Sequence, residues 1–334
     1  MLLGFVIFSM LLTNYGIAEE NASTSKLEKY IKEASDILQT WAKAKEKGVN
    51  SLQMRETIHQ LKKYRDILEE GLSKQPEIPR KNLQEALTII ARIESEIDWL
   101  NCLLNETEKV RKQWQPILND INPDEKNLTK ICEILEMTDS QKEFWIEQLS
   151  NTKTKSTVYP TGGWKKTKTS GISGRAKADY DVATKTGYSY AEAIFFCKAW
   201  GKSSLYWETW WTNIPLDWHI EYRGEYDGWL ALFFDLTTYV AMDCYAHDVY
   251  NGILYQKEFL FRSHSTDGSA HIVGTYNQNT GAQLDIQIGT NRWELWRIGV
   301  KLEVFAESFL GNTKSDFYHA PLHWTLDEIE ISTV

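Results

Sequence analysis

Trp296-Arg297-Ile298-Gly299-Val300-Lys301-Leu302-Glu303-Val304-Phe305-Ala306-Glu307 alternates apolar and mostly polar residues over twelve positions. Successive side chains of a strand point to opposite faces, so this run predicts a β-strand with one dry and one mostly wet face. Leu284, Ile286 and Ile288 against Asp285 and Gln287 behave alike, as do Trp218, Ile220 and Tyr222 against His219, Glu221 and Arg223; Ile329 and Ile331 close the chain. Between such runs stand Gly162-Gly163, Asp227-Gly228, Asn251-Gly252, Asp267-Gly268 and Gly311-Asn312, with no amphipathic helix of useful length. Short strands punctuated by turn residues predict an antiparallel β-sandwich, jelly-roll or immunoglobulin-like, over residues 158–334.

Upstream the period changes to 3.6. Leu83, Ile90, Ile97 and Leu104 recur every seven residues, with Ala86, Ile93 and Leu100 between them; Leu27, Ile31, Ala34, Leu38 and Trp41, and then Met54, Ile58, Leu61 and Leu68, each line one helix face. Ser25 with Glu28, and Asn50 with Gln53, have the spacing of reciprocal helix caps. Short connections favour antiparallel neighbours, so residues 24–150 are expected to form a helical bundle or hairpin packed in coiled-coil fashion. The polar stretch 151–157 is the expected linker, and the fold class is α+β with two domains, as a length of 334 residues suggests.

Residues 1–18 carry no charged side chain, 2–12 form an apolar run, and Gly16 and Ala18 stand where a signal peptidase reads small residues. This predicts a signal peptide and a secreted or cell-surface protein, with membrane attachment only if the segment stays uncleaved. Asn21, Asn105 and Asn127 begin glycosylation sequons. Export would permit disulfides, and pairing within each half joins Cys102 to Cys132 and Cys197 to Cys244, although free thiols fit the spacing equally. The formal net charge of −9 is spread over both halves, and Lys165, Lys166 and Lys168 form one basic cluster, read as a solvated loop. Without a basic field there is no nucleic-acid partner to expect.

Three segments read as strands apolar on both faces: Tyr190, Ile194, Phe196 and Trp200 against Ala191, Ala193, Phe195, Cys197 and Ala199; Trp207 and Trp211 against Tyr206 and Trp210; Leu230, Leu232, Phe234 and Leu236 against Trp229, Ala231 and Phe233. A sheet in a two-layer sandwich has one dry face, so the second requires the helical half, another copy of the chain, or a ligand to cover it. Trp207, Trp210, Trp211 and Trp218 with Glu208, Asn213 and Asp217 make one candidate ligand platform, since sugar C–H faces stack on flat rings while carboxylates and amides bind hydroxyls.

Catalytic chemistry has weaker footing. Glu208, Asp217, Asp227, Asp235 and Asp243 could supply a glycosidase pair only if folding brings two together. His319 and His323 with Asp316, or Asp243, His247 and Asp248, could meet as a metal site. Gly201-Lys202-Ser203 lacks the leading glycine of a phosphate loop, and neither GxSxG, HExxH nor GxGxxG occurs, so no cofactor is expected. The expectation is an exported, non-enzymatic binding or structural protein that engages a protein partner or a surface assembly, itself a possible homo-oligomer. The alternative is a carbohydrate-binding module using the 207–211 region, and the third reading is a secreted glycan-active hydrolase.

Overall fold

A computed structural model describes residues 20–74, 78–119, 132–149, 155–171, 173–212, 217–233, 236–288, 293–309 and 311–333. Helix α1 (Glu20–Glu46) ends at Gly48, whose φ of +88° turns the chain back, and a two-residue strand β1 (Val49–Asn50) leads into α2 (Ser51–Lys74). The Asn50 carboxamide accepts the amides of Leu52 and Gln53, and Gln53 accepts that of Asn50, so the reciprocal cap forms as expected. Ser25, by contrast, lies inside α1, which starts five residues earlier. Helix α3 (Arg80–Leu118) buries Leu83, Ile90, Ile97 and Leu104 in a core shared with α1 and α2. Its other side, with Trp99, turns to the β half.

After α4 (Asp139–Leu149), β2 (Lys155–Val158) begins inside the segment expected to be linker. The remaining strands are β3 (Gly162–Ser170), β4 (Arg175–Asp181), β5 (Thr186–Ile194), β6 (Cys197–Thr212), β7 (Asp217–Phe233), β8 (Thr237–Asp248), β9 (Ile253–His264), β10 (Gly268–Tyr276), β11 (Gln283–Gln287), β12 (Trp293–Ser308), β13 (Asn312–Phe317), β14 (His323–Thr325) and β15 (Glu328–Thr333). Two large antiparallel sheets result, consistent with a β-sandwich. One has the order β1-β9-β8-β12-β6-β3, and the three lysines of the expected loop lie on its edge strand β3. The other is built around β7, flanked by β11 then β10 on one side and by β15, β14 and β13 on the other, with β5 and β4 continuing beyond β13.

The alternation in β12 sorts as its dry face predicted: Trp296, Ile298, Val300, Leu302 and Val304 are fully buried between the sheets. The wet face is a correction. Lys301, Glu303 and Glu307 are only 3–5% exposed, because α1 and α3 lie across this side of the sheet. Buried charges persist only when paired, and here each has a partner. Lys301 Nζ meets Asp243 Oδ2 at 3.1 Å, Lys202 Nζ meets Glu303 Oε2 at 3.4 Å, and Tyr239 donates to Glu303 at 2.6 Å. The helices add Ser95, which hydrogen-bonds both Glu303 and Lys202, and a second pair, Lys45 with Glu96 at 2.8 Å. Strand charges that looked solvated are therefore the adhesive between the halves.

All four cysteines are free thiols, which corrects the within-half pairing. Cys197 lies opposite Ser308 and Cys244 opposite Val300 on the two sides of β12. Eight strand residues separate those positions, about 27 Å at roughly 3.4 Å each, whereas a disulfide needs Cα atoms within about 7 Å. Cys102 sits on α3 while Cys132 is packed in the sandwich core, where burial raises its thiol pKa.

At the β8–β9 turn, Asp248 is wholly buried and accepts the amides of Tyr250, Asn251 and Leu295 at 3.1 Å each. Burial, reinforced by the neighbouring Glu294 carboxylate, raises its pKa to about 7. The folded chain then holds a proton that the unfolded chain releases near the ordinary aspartate pKa of about 4. The stability contributed by this group is full below that value and is lost as pH rises through about 7. Urea midpoints measured from pH 5 to pH 8 should fall more steeply in the wild type than in Asp248→Asn. Equal slopes would contradict the buried acid.

Candidate functional site: the outer face of the second sheet

The expected platform is not presented to solvent. Trp207, Trp211 and Trp218 are at most 1% exposed and enclose Phe144 of α4, whose ring meets theirs edge-on at 4.7, 6.2 and 5.6 Å. Trp210 faces the other way and is buried too, against Trp114 of α3 at 5.2 Å and Tyr250 at 6.0 Å. The Trp145 indole N–H caps the Trp210 carbonyl. Glu208 accepts the Arg297 guanidinium at 2.5 Å, with Glu106 of α3 on the same arginine at 3.1 Å. Asp217 is exposed, and Asn213 lies outside the described residues, as do Phe234, Asp235 and Asn127. The helical half thus covers the second face of β6, and indoles expected to stack on sugar are packing groups. Asn105 is exposed on α3, and the Asn21 side chain is outside the described set.

The other candidate sets also disperse. Asp243 is paired with Lys301, and His247, four residues further along β8, is neutral, its pKa pushed to about 3 by burial and by Arg297. Asp248 binds turn amides instead. His319 bonds Asp316 at 3.1 Å and His323 approaches Glu225 at 3.4 Å, so the two imidazoles serve different carboxylates. Among the described residues no three His, Cys, Asp or Glu side chains converge in a way that could hold a metal ion.

The first of the three two-sided segments is not one strand, since Phe195 and Phe196, 54% and 42% exposed, make the turn between β5 and β6 with φ of +52° and +49°; β7 is the strand whose outer face stays open. On β7, Trp229 is 40% and Phe233 50% exposed on the outer face, while Leu230 and Leu232 fill the core. Strand pairing sets a straight row across five strands: Lys177 of β4, Tyr190 of β5, Asp316 of β13, Trp229 of β7 and His271 of β10, each directly opposite the next. Four spacings of about 4.8 Å make this row about 19 Å long. His271 stacks flat on Trp229, centroids 4.4 Å apart and planes 9° from parallel. Its Nε2 lies 2.7 Å from Asp227 Oδ1, which fixes the imidazole and through it the indole.

On the far side of Trp229, Asp316 is a buried anchor. Burial opposes its charge, but Lys314 at 2.8 Å, the amides of Tyr318 and His319, and the His319 ring hold its pKa below the ordinary aspartate value. Lys314 lies over the Tyr190 ring at 5.4 Å and His319 meets that ring edge-on at 4.8 Å. Tyr318 packs on Tyr188 at 5.9 Å and under Lys177 at 5.2 Å. The exposed layer is therefore a stacked indole-imidazole pair flanked by Lys314 and His319, each held from below. Such a surface can stack on an apolar face and donate or accept hydrogen bonds around it. Sequence reasoning named Trp229 among the two-sided positions but put the platform elsewhere; the available signal was a tryptophan following six polar residues on the same strand face, Asp217, His219, Glu221, Arg223, Glu225 and Asp227.

No family model and no curated protein matches this chain. Among solved structures it is similar to the enzymatically active domain of tailspike protein 4 of bacteriophage CBA120, at 9% identity and a TM-score of 0.22, over 48% of this chain and 19% of that one. A second likeness is to a structure of carbohydrate-binding modules from the β-sandwich superfamily, at 8% identity and 0.22, over 49% and 56%. A third is to the family 11 carbohydrate-binding module of Clostridium thermocellum, at 9% and 0.17, over 53% and 98%. The chain spans about a fifth and about half of the first two. At these scores the reading of this chain rests on its own residues.

Proposed function

We propose that the chain is an exported, non-catalytic glycan-binding protein whose ligand lies on the outer face of the nine-stranded sheet, over Trp229 and His271. The observation that carries this is the exposed indole, held flat by a stacked imidazole that a carboxylate in turn fixes. A ring ordered before the ligand arrives spends little entropy on binding. Lys314, His319 and Lys177 supply the polar groups that read hydroxyls or acidic substituents beside it, and the row's length suits an oligosaccharide lying across the strands. Export rests on the apolar 2–12 run and the small residues Gly16 and Ala18. In this reading the helices form an antiparallel clamp on the opposite sheet, leaving the binding face free. Asp316 in the row is engaged by Lys314 and His319, and Asp227 beside the row by His271, which favours binding over hydrolysis.

A glycan array probed with the mature full-length chain tests the proposal. Trp229→Ala should weaken retention at least about tenfold, or about 1.4 kcal/mol, with stability lowered by about 1 kcal/mol or less, the worth of its cross-strand stack. His271→Ala should give a smaller loss. A chain that retains no glycan, or a Trp229→Ala variant that binds like wild type, would overturn it.

A further inference from the structure

We propose that β10 is the pairing edge of a symmetric dimer, in which two copies join their second sheets into one continuous sheet. Exposed strand edges present unpaired N–H and C=O groups, and soluble proteins blunt them with charge, shortness or cover. The other edges here follow that rule. β3 carries Lys165, Lys166 and Lys168; β4 carries Arg175, Lys177, Asp179 and Asp181; β2 is four residues long with Lys155, and β11 is five residues long with Asp285. β9 is overlain by α1 and contains Lys257, Glu258 and Arg262.

β10 does not. It runs nine residues, Gly-Ser-Ala-His-Ile-Val-Gly-Thr-Tyr, with no Lys, Arg, Asp, Glu or Pro. It pairs with β7 over its whole length, and among the described residues no strand lies beyond it. Val273 on it is 60% exposed, the outer-face residues Ser269, His271, Val273 and Thr275 alternating with partly buried Ala270 and Ile272. The chemistry of the occupant follows from this: an extended strand, antiparallel, with no charge to clash.

A second copy of β10 meets those terms. Pairing centred on Ile272 sets Ile272 against itself on the inner side, His271 against Val273 and Ser269 against Thr275 on the outer side, and Ala270 against Gly274. No like charges oppose across the ladder, and the two-fold contact closes on itself rather than propagating. Trp229 is one strand in from the edge, so the two indoles would lie on one face about 14 Å apart across the strands, three spacings of about 4.8 Å. The dimer stands on the edge itself and does not depend on what the aromatic face binds.

Sedimentation of the mature full-length chain across the micromolar range should show a concentration-dependent doubling of mass. Val273→Lys/Thr275→Lys, both on the exposed side of the strand, should raise the dimer dissociation constant at least tenfold with an unchanged thermal midpoint. Mixing it with Val273→Glu/Thr275→Glu should restore a mixed dimer. Amide exchange should slow in β10 as concentration rises. A wild type that stays monomeric, a lysine variant that dimerises as wild type does, or concentration-dependent protection elsewhere but not in β10 would each overturn the proposal.

Discussion

Replacing Lys301 with methionine is expected to cost the fold about 3–5 kcal/mol, the range for removing one partner of a buried ion pair. The ammonium is 4% exposed and lies between Asp243 at 3.1 Å and Glu303 at 4.0 Å. Burial works against its charge, yet Asp243, Glu303 and Glu96 together raise its pKa above the ordinary lysine value. Methionine fills similar volume, so what remains is the electrostatic deficit: Asp243 would be left buried with no cation at hydrogen-bond distance. The companion variant Lys301→Met/Asp243→Leu should recover part of the loss, because exchanging a whole buried pair for apolar groups is often near neutral. Arg55→Ala offers the contrast. Its bond to Glu108 is 2.8 Å, but both side chains are more than half exposed, so less than about 1 kcal/mol should be lost. Guanidinium unfolding reads all three. A Lys301→Met loss no larger than that of Arg55→Ala would mean that the charged layer between the halves contributes nothing to holding them.

That layer also marks where the sequence stops being informative. The period-two pattern from Trp296 to Glu307 is a local property, and it placed Ile298, Val300 and Leu302 in the interior correctly. Whether Lys301 and Glu303 face water or Ser95 is decided by a helix some two hundred positions upstream, and a charged residue reads the same in both cases. The same holds for the tryptophans. Trp207 and Trp229 are the same residue type on similar two-sided strands, but Phe144 closes over the first, whereas the second has His271 stacked on it and is still 40% exposed. Cys197 and Cys244 both lie in the β half, and only strand register shows them eight positions apart along β12. The helices were legible because every turn repeats the constraint; partners across the fold leave no such repeat.

Phe144→Ala is the second change expected to act strongly, and it separates the two aromatic regions. The ring is 3% exposed and touches Trp207, Trp211 and Trp218 in edge-to-face contacts. Truncation to alanine should cost about 3–5 kcal/mol, the usual range for a buried phenylalanine that leaves a cavity its neighbours fill only in part. The neighbours are rigid indoles on paired strands of two different sheets, so collapse is limited and the upper part of the range is expected. Trp229→Ala removes a larger ring at a much smaller cost in stability, because that ring is 40% exposed and loses mainly its cross-strand stack on His271, a pair worth up to about 1 kcal/mol. The pair therefore dissociates stability from binding. Phe144→Ala should lower the denaturation midpoint sharply while the fraction still folded retains ligand at wild-type affinity, and Trp229→Ala should do the reverse. Were Phe144→Ala to abolish ligand binding in folded protein while Trp229→Ala left it intact, the ligand would belong under α4, among Trp207 and Trp211, and the outer face would be bare surface.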